Sequence, residues 1–209
     1  MSRTCGLVLA ISAAMMLSGG LRASTIAVIP GGGGLENHSY NGDVSFGWQF
    51  ILVSTVTVTD LGYFDAGNDG LFDTHPVGIF NSTGSLLVSA TVPAGTTGTL
   101  LDGFRFTAVP AAVLGPGSYT IGAYANSSSL DDFLSGTSLS TPVSGLTLGT
   151  AVQSDFGSSS LTFPTQNDSF AAEGFFGPNF ITSDVPEPDG WSMLALGMLA
   201  LMLVRRRAV

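Results

Sequence analysis

Apolar and polar residues alternate with a period of two along the middle of the chain, and a helical period of 3.6 does not appear there. Residues 51–59 read Ile-Leu-Val-Ser-Thr-Val-Thr-Val-Thr, a β-branched run with clean alternation at Val56 and Val58. Leu61 and Tyr63 continue it one residue out of phase, which predicts a bulge near Asp60. Leu86, Val88, Ala90 and Val92 share one face of a second run. Phe104, Phe106 and Ala108 do so in a third, and Tyr119, Ile121, Ala123 and Ala125 in a fourth. Between the runs stand turn signals: Asn68-Asp69-Gly70, Ser82-Thr83-Gly84, Pro93-Ala94-Gly95 and Gly115-Pro116-Gly117. Strands punctuated in this way predict an all-β fold, an antiparallel β-sandwich or jelly roll, rather than βαβ units. A first strand is expected over 25–29 and a glycine loop over 31–34. Residues 126–145 and 157–160, rich in Ser, Gly and Thr, read as long loops. Residues 161–163 and 170–181 are expected to supply closing strands.

The ends obey different rules. Arg3, an apolar run over 7–17 and a small-residue stretch over 18–23 have the order of a secretory signal peptide, with cleavage expected after Ala23 and the site after Gly20 nearly as suitable. An uncleaved anchor is the competing reading, and the shortness of the run speaks against it. At the other end Val185-Pro186-Glu187-Pro188 precedes 14 apolar or small residues, 191–204, and then Arg205, Arg206 and Arg207. As a helix the apolar part reaches only ~21 Å, short of a ~30 Å hydrocarbon core, so it crosses with help from its flanks or from local thinning. The arginines resist translocation and stop the chain with residues 24–184 outside. Pro186 and Pro188 keep the stretch at the membrane surface extended, and so open to a membrane-embedded protease. The expected organisation is a signal peptide over 1–23, an extracellular β domain over 24–184 and an anchor segment over 185–209, with a helix at each end.

Val185-Pro186-Glu187-Pro188, the short apolar segment and the arginine cluster together resemble the PEP-CTERM sorting signal of Gram-negative envelope proteins. That resemblance implies recognition by an exosortase, cleavage at or near Pro186-Glu187-Pro188, and release to the cell envelope, the surface or an exopolysaccharide matrix after transient anchoring in the inner membrane. The implied partners are the exosortase and the secretion machinery, the membrane through residues 191–204 before processing, and exopolysaccharide. An ordinary C-terminal anchor whose Pro-Glu-Pro is only a linker is the alternative. The block from Trp48 to Tyr124 also resembles a family of bacterial extracellular β domains with no settled activity. Gly47-Trp48-Gln49-Phe50, Leu61-Gly62-Tyr63-Phe64-Asp65, Asp69-Gly70-Leu71, His75-Pro76-Val77-Gly78-Ile79-Phe80 and Gly117-Ser118-Tyr119-Thr120-Ile121 carry that likeness. It implies a β fold and an extracellular life, and nothing about chemistry.

Charge narrows the partners. The 209 residues carry 15 acidic and 6 basic side chains, a net charge of -9, and every basic one is Arg. Within 24–184 there are 13 acidic residues and a single cation, Arg105, so that part carries 1 − 13 = −12. Nucleic acid and anionic lipid are repelled by such a surface. The only cysteine, Cys5, lies in the signal region, which leaves the exported part without disulfides or thiolate metal sites.

Candidate chemistry is sparse, and the chain is not read as an enzyme. Asp65, Asn68, Asp69 and Asp73, with Asp60 nearby, crowd a glycine turn and form the candidate Ca²⁺ site, with no other cofactor expected. Gly67 and Pro76 stand where an EF-hand needs ligands, and a plain solvated turn is the other reading. His75 is read either as a metal ligand or base, or as a polar cap on a strand edge bonded to Asp73. Arg105 is expected to pair with an acidic neighbour. Trp48 and Tyr63 are the candidate sugar-stacking platform, with Tyr119 and Tyr124 on opposite faces of their strand. A structural or adhesive matrix role is the leading expectation, a carbohydrate-binding module the alternative, and a small glycoside hydrolase the last.

Overall fold

The computed structural model describes residues 24–31, 35–37, 42–136, 138–168 and 174–183, with only the backbone described at 35–37. The expected signal peptide, the sorting segment with its three arginines, His38 and the start of the 170–181 run lie outside these residues. The described residues belong to one compact unit, Ser24–Asp184.

The strands are β1 (Ser24–Ile26), β2 (Ile29–Pro30), β3 (Leu35–Asn37), β4 (Val44–Leu52), β5 (Val56–Phe64), β6 (His75–Asn81), β7 (Leu86–Val92), β8 (Thr99–Leu101), β9 (Phe104–Leu114), β10 (Gly117–Ala125), β11 (Phe133–Ser135), β12 (Leu139–Ser140), β13 (Leu146–Gln153), β14 (Gln166–Asp168) and β15 (Pro178–Ser183). A single 3₁₀ turn, Ala66–Asn68, follows β5. The fold is all-β, as the period-two pattern predicts. One antiparallel sheet has the order β1-β15-β5-β9-β8 and the other β14-β13-β4-β10-β6-β7, while β11 pairs with β3 and β12 with β2.

The two large sheets meet through aromatic side chains on their inner faces. Trp48 of β4 stacks on Phe180 of β15, with centroids 5.9 Å apart and planes at 16°. Phe50 lies 5.1 Å from the same Phe180 ring, and Phe46 meets Tyr63 of β5 edge-on at 6.4 Å. These rings are buried together with Leu61, Ile79, Phe104, Phe106 and Ile121 in one core cluster, which makes the arrangement sandwich-like.

The bulge falls where the phase shift puts it. Val58 pairs with Ala112 and Asp60 with Ala108 on β9, while on β15 the same two residues face Thr182 and Ile181. Against β15 Thr59 is the extra residue, while against β9 residues 109–111 stand opposite it, and Leu61 and Tyr63 regain the inner face.

Two expectations need correction. Residues 51–59 are not one strand: Gly47, Trp48, Gln49 and Phe50 are already inside β4, and the chain crosses from one sheet to the other at 53–55. All three corner residues are exposed, and the Val53 amide donates to Gly145 O at 3.0 Å. A corner built from Val, Ser and Thr leaves no Gly or Pro to mark it. Residues 161–163 form no strand either. They lie against the outer face of the six-stranded sheet, where the Thr162 amide donates to Ser45 Oγ at 2.9 Å and Phe163 packs on Phe80 at 5.4 Å. Glycine makes room for this crossing: a Cβ on Gly122 would sit 3.0 Å from the Pro164 ring and one on Gly78 2.9 Å from Leu161. Of the expected closing runs, residues 178–181 fall in β15, and β14 takes the place expected of 161–163.

Candidate functional site

The chemistry-bearing residues gather at one end of the sandwich, where the turn after β5 meets the loop before β11. A cavity of ≈ 470 Å³ opens there, lined by Asp65, Asp69, Phe72, Leu130, Asp131 and Asp132 among others. Two buried pairs border it, each placing one carboxylate, Asp65 or Asp131, in its lining.

The first joins Asp65 to Arg105. The Arg105 Nε donates to Asp65 Oδ2 at 2.6 Å, and both residues are buried. The remaining donors of the fork are spent on backbone: Nη2 donates to Asn68 O at 3.0 Å, and Nη1 to Gly98 O at 3.3 Å and Thr96 O at 3.4 Å. Asp65 Oδ1 accepts the Gly70 amide at 3.1 Å, closing the turn. One planar cation therefore ties β9 to two separate loops, as only a guanidinium can.

The second pair joins His75 to Asp131. His75 is fully buried at the start of β6, its ring stacked on Tyr63 with centroids 3.6 Å apart and planes at 4°. Its Nε2 lies 2.9 Å from Asp131 Oδ2 and its Nδ1 3.3 Å from Tyr124 O. Asp131 also accepts the amides of Phe72 and Asp73, each at 2.7 Å. The predicted partner of His75 was Asp73; the structure replaces it with Asp131, and Asp73 contributes only its backbone to the network. No local signal links His75 to a residue 56 positions away, because the loop that carries Asp131 is folded back by the tertiary structure.

Burial pushes the Asp131 carboxyl up, but the hydrogen bond from His75, the Asp73 and Phe72 amides and the charge of His75 outweigh it and hold the group below its ordinary value. A carboxylate depressed in the folded state stabilises above its unfolded pKa, ~3.9, and that contribution disappears as the pH falls through the folded value. Thermal melts from about pH 6 down to 2 are therefore expected to fall more steeply below about pH 4 for the wild type than for Asp131→Asn. Parallel curves would show that the pair contributes nothing to the acid limb.

The four residues of the expected calcium site do not converge on a common point. The carboxylate of Asp65 is held by Arg105 and Gly70, the Asn68 carbonyl takes the guanidinium, and the Asp73 amide points to Asp131. Among the described residues no group of three or more His, Cys, Asp or Glu side chains is placed to hold a metal ion. The Asp65 carboxylate is thus already taken by a cation that is part of the protein.

The expected sugar platform is also relocated. Trp48 and Tyr63 are both at 0% exposure, in the core between the sheets, so neither offers a face to a ring from solvent. Aromatics at alternating strand positions fall on the inner face because burial of large rings drives the packing. Tyr119 and Tyr124 are half-buried, their hydroxyls bonded to Gly115 O at 2.8 Å and Asp43 Oδ2 at 3.3 Å. The Arg105 expectation, a pairing with an acidic neighbour, matches the contact with Asp65.

Among the described residues no helix is long and apolar enough to cross a membrane. No protein-family model, no curated protein and no solved structure matches this chain.

Proposed function

We propose that the chain is an exported protein of the cell envelope or extracellular matrix, led out by its first 23 residues and sorted by an exosortase through residues 185–209. In this reading residues 24–184 have a structural or adhesive role in an exopolysaccharide matrix. The observation that carries it is the joint occurrence of Val185-Pro186-Glu187-Pro188, the apolar 191–204 segment and Arg205, Arg206 and Arg207. Two further facts support it. The compact unit Ser24–Asp184 is bounded on both sides by the proposed labels. Its one cation is consumed inside the fold, which leaves an anionic, lysine-free surface suited to remaining dissolved among other polyanions.

We read the fold itself as a jelly roll. Taking β1, β4, β5, β6, β7, β9, β10 and β15 as the principal strands, the first neighbours the eighth, the second the seventh, the third the sixth and the fourth the fifth. That nesting arises when one long antiparallel ribbon is wrapped into two facing sheets. β13 and β14 then extend one sheet beyond β4, and β8 extends the other beyond β9.

The sorting reading is tested by replacing Pro186, Glu187 and Pro188 together with alanine in the native host. The variant is expected to remain in the membrane fraction with its C-terminal arginines attached, while the wild type loses them and reaches the surface. Undiminished surface delivery of the variant sinks the reading.

A further inference from the structure

β7 is the last strand of the six-stranded sheet. Facing it across the mouth of the sandwich is β9, which β5 covers on one side along most of its length but β8 covers on the other only at Phe104, Arg105 and Phe106. Between the two edges runs a groove of ≈ 500 Å³ lined by Leu87, Val88, Pro110, Ala112 and Val113 among others. Among the described residues, five of the ten exposed large apolar side chains belong to this side: Leu86, Leu87, Leu100, Leu101 and Val113. Sheet edges are ordinarily guarded by lysine or by charges pointing inward. Neither β7 nor residues 107–114 contain a charged side chain, and from 74 to 130 the only Asp, Glu, Lys or Arg residues are Asp102 and the buried Arg105, with His75 buried against Asp131.

We propose that β7 is the site where two copies of this chain join, each adding a strand to the other's sheet. The choice of β7 over β9 follows from backbone chemistry, since Pro110 lacks an amide hydrogen and interrupts any ladder along β9. Within β7, Leu87 is an extra residue between Val88, which faces Ile79, and Leu86, which faces Phe80. Pairing therefore uses the regular run 88–92. An antiparallel two-fold centred on Ala90 sets Ser89 against Thr91 of the second copy, both exposed and both on the outer face.

Charge selects the occupant. Among the described residues the exposed or half-buried carboxylates are Asp43, Asp60, Asp69, Asp73, Asp102, Asp132, Asp155 and Asp168, and the only Arg or Lys in 24–184 is buried against Asp65. A cationic partner is drawn to those other faces. A second copy is repelled from them and meets no charge along β7. The inference goes beyond the sorting reading and stands without it.

Sedimentation velocity on the full-length chain, held in mild detergent for its apolar ends, tests it with two variants altered at the same positions. S89E/T91E puts like charges opposite each other across the two-fold and is expected to weaken the dimer about a hundredfold or more. S89E/T91K puts opposite charges there and is expected to dimerise within about tenfold of the wild type. Circular dichroism checks that both variants keep their sheets. A wild type that stays monomeric at every concentration, a dimer that survives S89E/T91E, or one that is lost in S89E/T91K overturns the proposal.

Discussion

Arg105→Met is expected to destabilise the domain by about 3–5 kcal/mol, because it leaves the Asp65 carboxylate buried with no counter-charge. Asp65 is only 2% exposed, so water cannot replace the lost partner. The loss extends beyond one pair, since the same guanidinium caps the carbonyls of Asn68, Gly98 and Thr96. Against a typical stability of about 5–15 kcal/mol, this is a large share of the total. The double variant Asp65→Asn/Arg105→Met removes both charges and is expected to cost clearly less than the sum of the two singles. Arg105→Lys keeps the charge but supplies no planar fork, so it should fall between wild type and Arg105→Met. Urea unfolding of the wild type, Arg105→Met, Asp65→Asn, the double variant and Arg105→Lys measures these differences, and additive single costs would show that the pair is not coupled.

Trp48→Ala is expected to have an effect of the same size, about 3–5 kcal/mol. The indole is fully buried and touches Phe50, Phe176 and Phe180, at centroid distances of 5.3, 5.9 and 5.9 Å. Its Nε1 also donates to Pro178 O at 2.9 Å, tying β4 of one sheet to β15 of the other. Trp48→Phe retains much of the apolar contact but strands that carbonyl, at a cost of about 1–3 kcal/mol. Thermal and urea unfolding separate the two losses: the cavity accounts for the gap between Ala and Phe, the hydrogen bond for much of the gap between Phe and wild type. If Trp48 were a surface platform, Trp48→Ala would leave the unfolding midpoint almost unchanged.

The strands legible in the sequence are β5, β7, β9 and β10, whose period-two runs stand out even though bulges interrupt β5 at Thr59 and β7 at Leu87. Illegible features share one property: they depend on what the chain meets in space. The corner at 53–55 lies inside a continuous β-branched run, so local propensity favours a strand on both sides of it and gives no sign of the turn. β13, Leu146–Gln153, is broken by Gly149 and has a register shift between Leu148 and Ala151, which weakens its period. Residues 161–163 have strand-like composition, yet their apolar side chains pack over an existing sheet instead of joining one.

The site divides in the same way. Arg105 is legible because a lone cation among 13 acidic residues must find a carboxylate, and its burial selects one on a neighbouring strand end. The role of Asp131 is not legible, since nothing near it in the chain reports that His75 approaches. Trp48 and Tyr63 show that aromatic residues at strand spacing identify the inner face before they suggest a ligand.

The central claim is that both ends are removed and residues 24–184 work outside the cell. Intact mass measurement of the protein recovered from the envelope and culture medium of its native host addresses it directly. The account predicts a chain that begins at or near Ser24, ends at or near Pro186-Glu187-Pro188, and lacks the apolar 191–204 segment. Recovery of the full 209-residue chain from the cytosol, with both ends intact, contradicts it.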